Sequence, residues 1–213
     1  MNKQSHSQRI FKDLVLPDGL KRLGLLLDNP ELIPPFTLFY GEPATGKTTV
    51  ANRIASQLAG SSYYIPCNET GLSNGDWDKI QSFDQYSLMG DETKPLEKVY
   101  IIDEFHNCSS SKQDRFKTIY DTLESRECLK GVKFIFIMNL ETGGRRVALE
   151  SKLSHAMRSR MVEKVNFDVR MDEVESMMDS YRLAYENLDD LQIRGLMPDH
   201  RRLQRENLLA TLG

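Results

Sequence analysis

"FTLFYGEPATGKTTVANRIA", residues 36–55, decides the fold. Residues 36–40 are an apolar run rich in β-formers, two glycines bracket the loop that follows, and Val50, Ile54 and Leu58 then recur at i, i+4, i+8 with Ala51 and Ala55 beside them. This predicts strand, loop, helix. Gly41, Gly46, Lys47 and Thr48 fit G-x-x-x-x-G-K-[ST], in which the glycines let backbone N–H groups face the β- and γ-phosphates of a nucleotide. Lys47 adds a point charge, Thr48 offers its hydroxyl to Mg²⁺, and a helix beginning near residue 46 aims the positive end of its dipole at the anion. The expected cradle is Gly41, Glu42, Pro43, Ala44, Thr45, Gly46, Lys47, Thr48 and Thr49.

A phosphate loop needs an acidic partner across the sheet. "KVYIIDEF" (98–105) supplies one at the end of a buried strand, expected to neighbour the first: Asp103 to hold the metal's water shell and Glu104 to orient and polarise an attacking water. A second carboxylate beside the metal-holding one suits hydrolysis of the γ-phosphate better than its transfer to a metabolite. Thus ATP and Mg²⁺ are the expected ligands.

The rest of the chain extends this alternation. Leu20, Leu23 and Leu27 have helical spacing before Pro34-Pro35; residues 61–68 read as a second short strand; residues 75–89 read as an irregular helix; residues 111–127 place Phe116, Ile119, Tyr120 and Leu123 on one helical face. "VKFIFIMNL" (132–140) is too apolar for an edge strand, and residues 162–168 form a last short one. Strands alternating with helices predict a doubly wound parallel α/β domain over residues 1–168. Two helical segments, 172–188 and 197–212, have no strand left to pair and predict a small helical lid over 169–213.

Composition bounds the function. Charged residues make up 28% of the 213 and hydrophobic ones 39%, ordinary globular usage. A formal net charge of −3 argues against holding nucleic acid through the overall field, although basic residues crowd two stretches, one with Arg145, Arg146, Lys152, Arg158 and Arg160, the other with Arg194, His200, Arg201, Arg202 and Arg205. No apolar stretch is long enough to span a bilayer and no signal-like segment opens the chain, so a soluble cytoplasmic protein with no membrane partner is expected. Cys67, Cys108 and Cys128 fit neither a disulfide framework nor a zinc knuckle and read as reduced core thiols. Met157, Met161, Met171, Met177 and Met178 read as packing residues. Trp77 suits either stacking on a base or capping the core.

With the phosphate loop, "IIDE" and an Asn closing the next apolar strand in place, the chain resembles the AAA+ ATPases, P-loop NTPases, and among them the clamp-loader subunits. The resemblance implies that Asn139 touches the γ-phosphate or the attacking water. Ser159-Arg160-Met161 resembles the Ser-Arg-Cys segment, implying that Arg160 is a finger donated to a neighbour's nucleotide. "MPDHRRL" (197–203) resembles the helix whose arginine reaches the γ-phosphate, here Arg201, or Arg202 beside it. "LVLPDGLKRLGLLL" (14–27) is similar to the segment that folds over the adenine. Independently of the family, Arg160 follows a Gly-Gly-Arg-Arg loop and precedes a strand, which places it at a rim of the sheet within reach of a second subunit.

Implied partners are like or related subunits in a ring or spiral, a sliding clamp or other replication protein, and DNA, toward which Lys112 and Arg115 would face. Met161 replaces the usual cysteine, and the helical collar characteristic of clamp-loader subunits is not expected within residues 1–213. A helicase loader or another remodelling protein, and a weakly hydrolysing nucleotide switch, therefore stand as alternatives. His106, after Asp-Glu-Phe, is similar to the D-E-x-H box of helicases, but those need a second motor domain.

Overall fold

The computed structural model describes residues 5–11, 14–15, 17, 20–85, 91, 93–142, 145–146, 148–170 and 173–212. Two helices, α1 (His6–Ile10) and α2 (Lys21–Asp28), precede strand β1 (Phe36–Gly41), and α3 (Lys47–Leu58) follows the phosphate loop. Next come β2 (Ala59–Pro66), α4 (Asn74–Gln81), β3 (Leu96–Asp103), α5 (Ser110–Asp114), α6 (Phe116–Ser125) and β4 (Val132–Asn139). A two-stranded antiparallel ribbon, β5 (Glu141–Thr142) with β6 (Arg145–Arg146), leads to α7 (Leu149–Lys152), α8 (His155–Arg160) and β7 (Glu163–Asn166). The chain continues through α9 (Val174–Ala184), α10 (Asp190–Leu196) and α11 (His200–Leu212).

Five strands form one parallel sheet in the order β2-β3-β4-β1-β7. Alternation sorts their side chains onto two faces. Phe36, Leu38, Tyr100, Ile102, Phe134 and Phe136 join Phe105 and the α6 residues Phe116, Ile119, Tyr120 and Leu123 in one core. Phe39, Val99, Ile101, Ile135 and Ile137 face the other way, onto Val50, Ile54 and Leu58 of α3 and Leu23 and Leu27 of α2. The first core is aromatic: Phe36 meets Phe116, Tyr120, Phe134 and Phe136 edge-on, with centroids 5.0–6.2 Å apart, a geometry worth roughly 0.5–1.5 kcal/mol per pair beyond burial. Coverage on both faces explains why β4 reads as continuously apolar.

Two expectations need correction. β3 does not neighbour β1, because β4 lies between them. β4 is the most completely apolar strand, and the centre of the sheet is where both its faces are buried. The segment expected as one helix over 111–127 is two, bent at Arg115, whose N–H bonds back to the Lys112 carbonyl at 3.3 Å while the buried Gln113 side chain is held by Cys108, Lys152 and Ser154.

The C-terminal helices hold a third cluster, in which Met177, Met178, Tyr181, Tyr185, Ile193 and Leu203 pack with Val15. The described residues form three helices there, where the periodicity shows two. Met157, Met161, Met177 and Met178 are buried, as packing residues should be; Met171 lies outside the described residues. Trp77 caps the core: it is buried against Phe116 with the Arg115 guanidinium over its ring at 3.9 Å, so base stacking is ruled out. Lys112 donates to the Thr70 and Leu72 carbonyls. Cys67 and Cys108 are buried free thiols. Among the described residues no helix is long and apolar enough to cross a membrane.

Candidate functional site

Parallel strands end on a common edge, and in an open α/β sheet ligands bind beyond the C-terminal ends of the strands. Here Gly41 ends β1, Asn139 ends β4 in register with it, and Asp103 ends β3. A cavity of about 300 Å³ opens beyond them, walled by residues 43–49, Asp103, Glu104, Asn139 and Arg201. Sequence reading named all of these.

The loop owes its path to backbone conformations that few residues accept. Gly41 has φ 145° and Gly46 φ 92°, and Ala44 adopts φ 61°. At Gly41 space is also decisive, because a Cβ would lie 2.6 Å from Asp168 Oδ1. That oxygen accepts the Glu42 N–H at 2.5 Å, tying the start of the loop to the end of β7. Gly41 and Glu42 therefore build the cradle from behind and do not line it. Asp168 has no local motif to betray it.

Lys47 is 4% exposed, and its Nζ donates to the Gly41 carbonyl at 3.2 Å, to Thr45 Oγ1 at 3.3 Å and to the Glu42 carbonyl. Burial pulls the ammonium down to about 8, against the raising pull of Asp168, Glu104 and Asp103. Asp103 is 5% exposed; its Oδ2 accepts the hydroxyls of Thr48 at 2.9 Å and Tyr64 at 2.8 Å, and its Oδ1 accepts the Glu104 N–H at 2.8 Å. Burial, then the bond to Asp103, push the Tyr64 phenol up to about 12. Glu104 itself takes the left-handed conformation, φ 53° and ψ 36°. That reversal ends the strand and turns the carboxylate to Asn139, whose Nδ2 lies 3.1 Å from each of its oxygens.

A family model described as "ATPase family associated with various cellular activities (AAA)" matches residues 37–169. The chain belongs to this AAA family. The fold is accordingly the α/β P-loop NTPase fold, and all of the wall residues above except Arg201 lie within the matched span. Replication factor C small subunit 1 of Pyrobaculum aerophilum is 28% identical over 162 residues, covering 71% of this chain and 46% of that protein. AMPPCP-bound DnaA from Aquifex aeolicus superposes with a TM-score of 0.55 at 14% identity, covering 96% of this chain and 65% of that one. A Thermotoga maritima RuvB variant gives 0.50 at 18%, covering 84% and 56%. The chain thus spans about half to two thirds of the length of the relatives it matches, and the two structures bear on fold alone.

The remaining AAA candidates separate clearly. Arg201, at the start of α11, lines the cavity; Arg202 faces a separate groove among the C-terminal helices. Arg160 lies away from the cavity. Its Nη2 pairs with Asp121 at 2.8 Å, Nη1 donates to the Ala156 carbonyl at 3.2 Å, and the guanidinium lies 5.6 Å from the Tyr120 ring centroid. The Gly-Gly-Arg-Arg loop before it falls partly outside the described residues.

A further stretch of wall is built by Leu14, Arg53, Tyr185, His200 and Gln204. Leu14 opens the 14–27 segment whose resemblance implies a place over the adenine, whereas sequence reading missed the other four as site residues. His200 joins that wall to the loop: its N–H donates to the Ala44 carbonyl at 3.2 Å, its ring stacks on Tyr181 at 5.7 Å, and Nδ1 lies 2.8 Å from the Tyr185 hydroxyl. The basic character of α11 hinted at His200, and no local pattern pointed to Arg53, Tyr185 or Gln204.

Proposed function

We propose that the chain is an ATP-hydrolysing AAA subunit that works as an oligomer in DNA replication, in the manner of a clamp loader. The convergence of Lys47, Thr48, Asp103, Glu104 and Asn139 on one cavity wall carries the reading. Lys47 neutralises the β- and γ-phosphates beside the loop amides, and Arg201 approaches from the opposite side. Glu104, oriented by Asn139, accepts the proton of the attacking water.

The residues fit Mg²⁺. Thr48 Oγ1 and Asp103 Oδ2, 2.9 Å apart on the wall, are hard oxygen donors. Among the described residues there is no cluster of three or more His, Cys, Asp or Glu that could hold a metal, in keeping with an ion that takes its other ligands from phosphate and water. When bound, the ion screens charge that builds on the phosphate oxygens.

Assembly enters through Arg160, proposed as the finger that stabilises charge at a neighbouring subunit's nucleotide. Residues 1–168 then serve as the nucleotide-binding domain and 169–213 as a lid carrying Arg201. Partners are like or related subunits, a sliding clamp and primed DNA; the replication name of the Pyrobaculum relative supports this choice.

The test compares the parent chain with Lys47→Ala for ATP affinity and turnover, with and without a sliding clamp and primed template. The proposal expects ATP binding to be lost in Lys47→Ala, and parent turnover to rise with clamp and DNA. Equal ATP affinity in the two proteins overturns the nucleotide reading. Turnover that stays flat with clamp and DNA overturns the clamp-loader role.

A further inference from the structure

We infer that His106 is a positioning residue for the water-activating carboxylate of Glu104, an inference that rests on the hydrolytic reading above. The geometry begins with the left-handed Glu104 backbone, after which Phe105–Asn107 form a single tight turn. Phe105, fully buried, anchors the turn in the aromatic core 4.7 Å from Phe136, and Asn107 Nδ2 ties its far end to the Cys67 carbonyl at 3.3 Å. Between these anchors the chain doubles back, and the His106 imidazole lies beside the carboxylate two residues before it. Nε2 is 3.2 Å from Glu104 Oε2, and Nδ1 is 3.4 Å from the backbone nitrogen of Asn139.

Those two contacts fix the tautomer. The Asn139 N–H can only donate, so Nδ1 accepts, and the ring proton sits on Nε2, directed at Glu104. An imidazolium would set two N–H groups against each other at Asn139. Burial, opposed by the Glu104 carboxylate, holds the ring below its ordinary pKa and so in the neutral form that both contacts require. Asn139 adds its own side-chain amide, 3.1 Å from each Glu104 oxygen. Donors thus reach Glu104 from two directions, and one ring links them, since His106 bonds both the carboxylate and the main chain of the residue that also orients it.

His106 does not itself reach the cavity. Glu104 and Asn139 line it, whereas the His106 side chain is only 15% exposed and stands behind them. The Glu104 side chain stays 43% exposed while the imidazole restricts its rotation. Restriction of a general base to one orientation lowers the barrier without adding a group to the reaction.

The experiment compares steady-state ATP hydrolysis by the parent, His106→Ala, His106→Gln and Lys47→Ala. His106→Ala should lower kcat about 10- to 100-fold while KM for ATP stays within about twofold. His106→Gln places an amide donor near the same carboxylate oxygen and should recover most of the loss; a purely structural role would not distinguish it in this way. Imidazole ¹H–¹⁵N spectra supply a readout independent of turnover: His106 should show the Nε2–H tautomer, with shifts that move in Glu104→Gln. The inference alone is overturned if the parent hydrolyses ATP and His106→Ala matches it, if His106→Gln is as slow as the alanine variant, or if the ring carries its proton on Nδ1. A parent no faster than Lys47→Ala overturns the hydrolytic reading itself.

Discussion

The side-chain amide of Asn139 donates to both carboxylate oxygens of Glu104, each at 3.1 Å, joining the end of β4 to the residue just past the end of β3. Glu104→Gln removes the charge and the basicity but keeps the shape, and it turns one donor against the Asn139 amide. ATP affinity should be kept while turnover falls about 10²- to 10³-fold. Asn139→Ala should also lower kcat, by less, because the base survives without its orienting partner. Equilibrium ATP binding beside single-turnover hydrolysis checks both.

Gly41→Ala brings a methyl group within 2.6 Å of Asp168 Oδ1 at a backbone φ of 145°. The loop must shift or the bond from the Glu42 N–H must break. The variant should lose about 1–3 kcal/mol of stability and bind ATP more weakly. Gly75→Ala in α4, where the nearest atom to a new Cβ is 4.0 Å away, should instead be neutral or stabilise by up to about 1 kcal/mol. Thermal unfolding of the pair separates crowding at the loop from a general cost of losing glycine.

Arg160, its side chain 18% exposed, pairs with the half-exposed Asp121, and pairs that reach solvent in this way contribute about 1 kcal/mol or less to stability. Arg160→Ala should therefore barely move Tm. If the guanidinium serves a neighbour's nucleotide, the variant should retain ATP binding and lose turnover by about 10³-fold or more in assembled protein. Mixing it with Lys47→Ala, which supplies the arginine but cannot bind nucleotide, should restore part of the activity; no recovery in the mixture would sink the in-trans role.

Burial holds the His200 imidazole below its ordinary range, against a backbone bond to Val15 and the charge of Asp199. The folded state then binds fewer protons than the unfolded one, so this group favours folding above the ordinary pKa near 6.5, and its contribution is lost as pH falls toward the lowered value. Tm should drop between about pH 7 and pH 5, and the drop should be shallower in His200→Phe. Parallel slopes for the two proteins would show that other groups govern acid stability.

The legible parts of this chain are those whose cause is local. The phosphate loop shows because glycines, Lys47 and Thr48 must be consecutive to wrap an anion, and the strands show because burial on both faces leaves an unbroken apolar run. What could not be read arises from long closures. Nothing near Asp168 announces that it meets the Glu42 amide 126 residues away, and no local pattern places β4 between β3 and β1. α10 escaped because Ile193 is its only buried residue, too little to set a period. His106 was read by motif, which led to helicases, whereas its contacts follow from the left-handed turn before it, which no periodicity encodes.

That turn narrows what can be learned by replacing Glu104. With φ at 53°, position 104 penalises any side chain branched at Cβ by roughly 1–2 kcal/mol, whereas Asn tolerates the conformation. A valine or threonine scan there would report on chain geometry before it reported on chemistry. Polar replacements that accept the twist are the fair comparison, and any inactive β-branched variant must first be shown to keep Asp103 in place.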